Sequence, residues 1–135
     1  MNPERENKNF AAEKKSNGGL MRLWNAFTYS MAGFKAALKY EHACRQEMML
    51  FVPATILALC LPIGAYEKLA LIVSLILIIA LEMANSALEV CVDDISLEYR
   101  ELAKRAKDLG SATVFCAMVI AALVWGTIIY VNFIR

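Results

Sequence analysis

A chain of 135 residues leaves room for one domain. Its hydrophobic fraction of 59% lies outside the usual soluble range, where apolar residues make up about 45–50%. A net charge of +1 points to no particular partner, and no nucleic acid is expected as one.

Residues 1–19 are polar, carry seven charges (Glu4, Arg5, Glu6, Lys8, Glu13, Lys14, Lys15) and end in Ser16-Asn17-Gly18-Gly19, which predicts a disordered tail and a turn. No apolar region follows this basic start closely enough for a cleaved signal peptide, so the first apolar span is expected to be retained. Over residues 20–47 the apolar side chains Leu20, Leu23, Trp24, Phe27, Met31, Phe34 and Leu38 recur at spacings of three and four. They predict an amphipathic helix, and the flanking Lys35 and Lys39 suit one that lies in a lipid interface. Residues 48–66 carry no charge until the turn at Glu67-Lys68 and are long enough to cross a hydrocarbon layer of about 30 Å. Pro53 is placed in the first turns of that span, and Pro62-Ile63-Gly64 ends it.

Residues 69–92 make a second span. Its first half, 69–80, has Ser74 as its one polar side chain, and its second half carries Glu82, Asn85 and Glu89, with Asp93 directly after. At roughly 100° per residue these four fall within about 80° of one another, one polar stripe on an apolar rod. A carboxylate at membrane depth faces protein or a wet cavity and marks a functional site. The plainer alternative is a bundle locked by buried polar contacts. Residues 93–108, DDISLEYRELAKRAKD, read as a charged helical segment, and 110–133 as the third span, with Trp125 and Tyr130 as interfacial anchors. The four cysteines show no metal-binding spacing and read as small core hydrophobes. The fold class is therefore an all-α membrane protein: an N-terminal amphipathic surface helix plus three transmembrane helices. Twelve of the fourteen Lys and Arg lie before Met48 or between Arg100 and Lys107, which puts the N-terminus and the charged segment in the cytoplasm and the C-terminus outside.

Carboxylates gathered at that cytoplasmic level need cations, and Mg²⁺ favours one or two carboxylates plus phosphate oxygens. Arg22, Arg105 and Lys107 could supply charge to phosphates, an inventory suited to phosphoryl transfer. Glu82, deepest in the apolar span, suits general-base work, and Glu89, nearer water, suits a metal ligand. His42 reads as an interfacial hydrogen-bonder rather than a ligand. There is no Walker A sequence and no kinase-type glycine loop.

The segment EMANSALEVCVDDISLEYRELAKRAKDLGSA, residues 82–112, closely resembles the prokaryotic diacylglycerol kinase family. The signature ExxNxAxExxxD stands as Glu82, Asn85, Ala87, Glu89 and Asp93; KRAKDxGSA stands at 104–112 and ExxxRQE at 41–47. The resemblance runs from about residue 20 to the C-terminus and implies a bacterial inner-membrane kinase domain over 20–135. It further implies a homotrimer with sites shared between protomers, which transfers the γ-phosphate of MgATP to the primary hydroxyl of diacylglycerol and gives phosphatidic acid. By the same resemblance Glu82 is the catalytic base, Glu41 and Glu89 bind the metal ion, and Asn85 and Asp93 support the site. Nucleotide contacts are implied for Arg22, Tyr29, Glu41, Glu89, Glu98, Tyr99, Arg100, Lys107 and Asp108. Lipid contacts are implied for Ala26, Ser30, Met31, Lys35, Leu38, Ala43, Arg45, Glu47, Glu82 and Ser111. Asn25 stands where the family has a lysine and Met31 where it has a tryptophan. The rival readings are the sister activity on undecaprenol, whose loop after the second span is shorter and different, and a non-enzymatic three-span protein.

Overall fold

The computed structural model describes residues 19–135; the expected polar tail, apart from Gly19, lies outside the described residues. Four α-helices follow in order: α1 (Gly19–Tyr40), α2 (His42–Cys60), α3 (Ala65–Ile95) and α4 (Glu101–Ile129), the last continued by a π-helical turn, Tyr130–Ile134. The chain divides into two compact units within α1, one ending at Ala36 and the other beginning at Ala37.

In the first unit α1 is a single helix whose side chains are exposed or half-buried through Ala36. Trp24 and Phe27, three residues apart, stack at a tilt of 34° with ring centroids 6.1 Å apart. Thr28 Oγ1 donates to the Trp24 carbonyl at 2.7 Å and Ser30 Oγ to the Ala26 carbonyl at 2.9 Å, so both hydroxyls are satisfied within the helix.

The second unit contains three helices long and apolar enough to cross a membrane: α2, α3, and α4 with its π turn. α2 has 19 residues, about 28 Å at 1.5 Å each, close to the hydrocarbon thickness. α3 has 31, about 46 Å, so it must project well beyond that layer. What is buried between the helices is mostly small: Ala58, Ala117 and Ala121 with Leu71, Ile79 and Val114. Small residues let backbones approach where lipid already solvates apolar side chains. Leu57, Leu69, Val73, Ile76, Phe115 and Leu123 point outward, as lipid-facing side chains do. Cys60, Cys91 and Cys116 are exposed too; of the four free cysteines, expected as core hydrophobes, only Cys44 is buried.

Several boundaries differ from the sequence expectation. The first break falls at Glu41, in extended backbone (φ −99°, ψ 119°), rather than after residue 47. Arg45 Nη1 caps the end of α1 by donating to the carbonyls of Leu38 (3.3 Å) and Lys39 (3.0 Å), a cation placed at a helix C-terminus. The change from charged to apolar sequence at 47–48 therefore marks a change of surroundings inside α2, not a helix end. Pro53 lies in the interior of α2 in consequence, where it removes the hydrogen bond to the Met49 carbonyl. The turn after α2 is 61–64, and Glu67 and Lys68, expected as that turn, begin α3 instead. Glu67 Oε2 accepts from the Gly64 N–H at 2.7 Å, and Lys68 Nζ donates to the Leu59 carbonyl at 2.6 Å, so both charges close helix ends. Glu67 Oε1 also accepts from Asn132 Nδ2 at 2.9 Å, which ties the π turn to the start of α3. The charged segment 93–108 is not one helix: α3 runs through Ile95, residues 96–100 are non-helical, and α4 passes unbroken from Glu101 through Gly110 into the third span.

Candidate functional site

The polar stripe of α3 is half of a cleft. Glu82, Asn85, Ser86 and Glu89 from α3 face Glu41, Ala43 and Glu47 from the start of α2, with Ser111, Val114 and Met118 of α4 closing it, around a volume of about 410 Å³. The break at Glu41 makes this possible, because it starts α2 early enough for its first turns to reach the level of Glu82. Glu82 is 8% exposed, the most buried carboxylate among the described residues, and Ser86, one turn on, is equally buried. Among the described residues no hydrogen bond engages the buried Glu47 Oε2. Asn85 Nδ2 donates to Glu89 Oε1 at 3.0 Å, an i to i+4 contact that fixes the carboxylate of Glu89. Four carboxylates around one cleft with no cation among its lining residues form a site that attracts positive charge.

Asp93 leaves the stripe. It takes Lys107 Nζ at 2.6 Å, the two side chains being 45% and 35% exposed, and so joins the end of α3 to the first turns of α4. This pair lines a second cleft of about 250 Å³ together with Glu98, Tyr99, Arg100, Lys104 and Asp108. Lys104 Nζ meets Asp108 Oδ2 at 2.5 Å, Arg100 Nη2 donates to the Val92 carbonyl at 3.4 Å, and Ser96 Oγ accepts from the Glu98 N–H at 3.1 Å. Residues 96–100 are tied to α3 by Arg100 and the Ser96 N–H, both donating to the Val92 carbonyl, and to α4 by the Arg100 carbonyl, which accepts from the Lys104 N–H. Three cations, Arg100, Lys104 and Lys107, alternate around the hollow with the carboxylates of Asp93, Glu98 and Asp108.

The structure distributes the other expected residues as follows. Arg45 is engaged with the end of α1. Leu38 is exposed near that end, and His42 is exposed in the first turn of α2. Arg22, Ala26, Tyr29, Ser30, Met31 and Lys35 are exposed on α1 within the first unit. Ser86 was not singled out by sequence, although its position four residues after Glu82 puts it on the same face. Lys104 and Ser96 line the second cleft as well, brought there by the fold of 96–100, which no local sequence pattern announces.

Whether these residues suit Mg²⁺ can be tested on the donor set. Among the described residues no group of three or more His, Cys, Asp and Glu side chains is placed to hold a metal ion. Mg²⁺ usually needs no more than one or two carboxylates, completing its octahedron with phosphate oxygens and water. Glu41 and Glu89 on one cleft fit that requirement.

Comparison with known proteins bears on these two clefts. The profile of the prokaryotic diacylglycerol kinase family matches residues 28–129. The chain is 41% identical over 115 residues to a diacylglycerol kinase of Pseudomonas aeruginosa, an overlap of 85% of this chain and 94% of the relative. It is 39% identical over 115 residues to that of Escherichia coli, with the same coverage. With the diacylglycerol kinase of Haemophilus influenzae it shares 44% of 112 residues, 83% of this chain and 95% of that one. The match takes in α2, α3 and the whole of α4, and with them both clefts; the chain belongs to the prokaryotic diacylglycerol kinase family.

Proposed function

We propose that this protein is a membrane lipid kinase that transfers the γ-phosphate of MgATP to the primary hydroxyl of diacylglycerol and releases phosphatidic acid and ADP. One observation carries the reading beyond family membership: the carboxylate cleft adjoins an apolar groove. That groove, about 180 Å³, is lined by Leu50, Phe51, Ala54, Leu75, Ile78 and Ile79, and Glu47 and Met118 line both spaces. A substrate with a polar alcohol and a hydrocarbon chain fits such a pair, the alcohol among the carboxylates and the chain among the aliphatic side chains.

In this reading Glu82 takes the proton of the lipid hydroxyl as its oxygen attacks the γ-phosphorus. A new P–O bond forms, the bond to the β-phosphate oxygen breaks, and that electron pair leaves with ADP. Asn85 holds the Glu89 carboxylate, and Ser111 lines the same cleft, where the lipid contact implied by family resemblance would be made. Glu41 and Glu89 would hold the Mg²⁺ of MgATP, which would supply charge neutralisation at the phosphates. Lys107, Arg100 and Lys104 face the nucleotide phosphates from the second cleft, with Glu98, Tyr99 and Asp108 contacting the rest of the nucleotide. The parts of Arg22, Tyr29 and the lipid-contacting residues of α1 rest on family resemblance. So do the homotrimer with shared sites, the inner-membrane topology with a cytoplasmic site, and the placement of α1 as an amphipathic helix on the membrane surface. Purified protein in mixed micelles with MgATP, offered diacylglycerol and undecaprenol separately, should phosphorylate diacylglycerol. A strong preference for the polyprenol would transfer the assignment to the sister activity, and no phosphorylation of either lipid would remove the enzyme reading.

A further inference from the structure

Beside the carboxylate cleft α4 approaches α3 at one bare point. A Cβ built on Gly110 would fall on Asn85 Oδ1 and stand 3.2 Å from Asn85 Cγ. Gly19, Gly33 and Gly126 show nothing within 4 Å of the same construction, and Gly64 meets Glu67 Oε2 at 3.2 Å, so Gly110 is the glycine against which a Cβ would fall closest. Asn85 has a different environment at each end of its amide. Its Oδ1 is buried with no hydrogen-bond partner among the described residues, on the side where a Gly110 Cβ would lie, while its Nδ2 donates to Glu89 Oε1 at 3.0 Å. An orphaned buried carbonyl is a cost, and another rotamer could relieve it by turning the oxygen toward water. The rotamer that lays Oδ1 against the bare face of Gly110 is the one that puts the amide on Glu89.

We infer that Gly110 is a positioning residue of the kinase site: by carrying no side chain it keeps the Asn85 amide on Glu89 and so holds that carboxylate in place for the metal. The inference rests on the reading of the cleft as a Mg²⁺-dependent phosphoryl-transfer site. An added methyl at Gly110 meets the far end of a two-torsion side chain, not backbone, so Asn85 can swing aside while the helices stay packed. The expected damage is therefore local: a Glu89 that has lost its donor. Contacts of this kind behind a metal ligand are worth about 10–100-fold in metal affinity or activity.

The test uses the full-length protein in detergent micelles with Mn²⁺ as a spectroscopic probe in the presence of a non-hydrolysable ATP analogue. The Mn²⁺ dissociation constant is read by electron paramagnetic resonance, and the thermal unfolding midpoint is recorded alongside. Gly110→Ala should weaken Mn²⁺ binding about tenfold or more, and Asn85→Ala should do so by a similar factor. The double variant should be no worse than Asn85→Ala alone, because the two changes act through one contact. Gly126→Ala, which adds a methyl where nothing lies within 4 Å, should bind as the parent does. Parental Mn²⁺ affinity in Gly110→Ala, or additive losses in the double variant, would overturn the inference. If Gly110→Ala does not fold, the double variant, which removes the clash, must fold; its failure to do so overturns the inference as well. Failure of the kinase reading itself shows up separately, as a parent protein that binds no Mn²⁺ with the analogue and phosphorylates no lipid.

Discussion

Replacing Glu82 with glutamine keeps the shape of the side chain while removing one negative charge and the site's most buried proton acceptor. Glu82 is 8% exposed and lines one cleft with Glu41, Glu47 and Glu89, so its carboxylate sits among like charges in a partly desolvated place. Loss of one charge from that group relieves repulsion, and the unfolding midpoint of Glu82→Gln should be unchanged or higher. Turnover should behave in the opposite way. A positioned general base contributes about 10²–10⁴-fold, so kcat should fall by at least about a hundredfold, roughly 3 kcal/mol or more in the barrier. The KM values for MgATP should change little, since the nucleotide phosphates are assigned to the second cleft. The assay is transfer of labelled phosphate from ATP to diacylglycerol in mixed micelles, with thermal unfolding measured on the same preparation. A variant that keeps more than about a tenth of the parental kcat would remove Glu82 from the role of base. One that loses activity together with its folded state would show that the residue holds the bundle instead.

Further outcomes are expected at the neighbouring groups. Glu41→Gln and Glu89→Gln should each raise the Mg²⁺ concentration needed for half-maximal rate, whereas Glu101→Gln, in the exposed first turn of α4, should not; equal Mg²⁺ titrations for all three would remove the metal assignment. Lys107→Met should raise the KM for ATP by tenfold or so while thermal stability falls by less than about 1 kcal/mol, because its pair with Asp93 is partly exposed. A large loss of stability with unchanged KM would make that pair structural. Asn132→Ala should lower the midpoint of thermal inactivation by releasing Glu67 at the far end of the bundle, with kcat at low temperature retained; a parental midpoint would show that the contact contributes nothing.

The three apolar spans and the register of Glu82, Asn85 and Glu89 were legible in the chain because both follow from local rules, the length of hydrocarbon to be crossed and the 3.6-residue period. Helix ends were less legible, for composition changes where the surroundings change and not where the hydrogen-bond ladder stops. The Glu41 break shows this: it is stabilised by Arg45 reaching back to two carbonyls, a contact that no local pattern announces. Asp93 shows it again, for the helical period assigns it to the stripe but Lys107, fourteen residues on, draws it to a separate cleft. Sequence alone therefore determined what the chain is made to cross and which side chains share a face of α3. Tertiary packing decided which of them meet Glu41 and Glu47, and that Gly110 comes up against Asn85, because contacts between helices depend on the approach of backbones whose separation no single helix encodes.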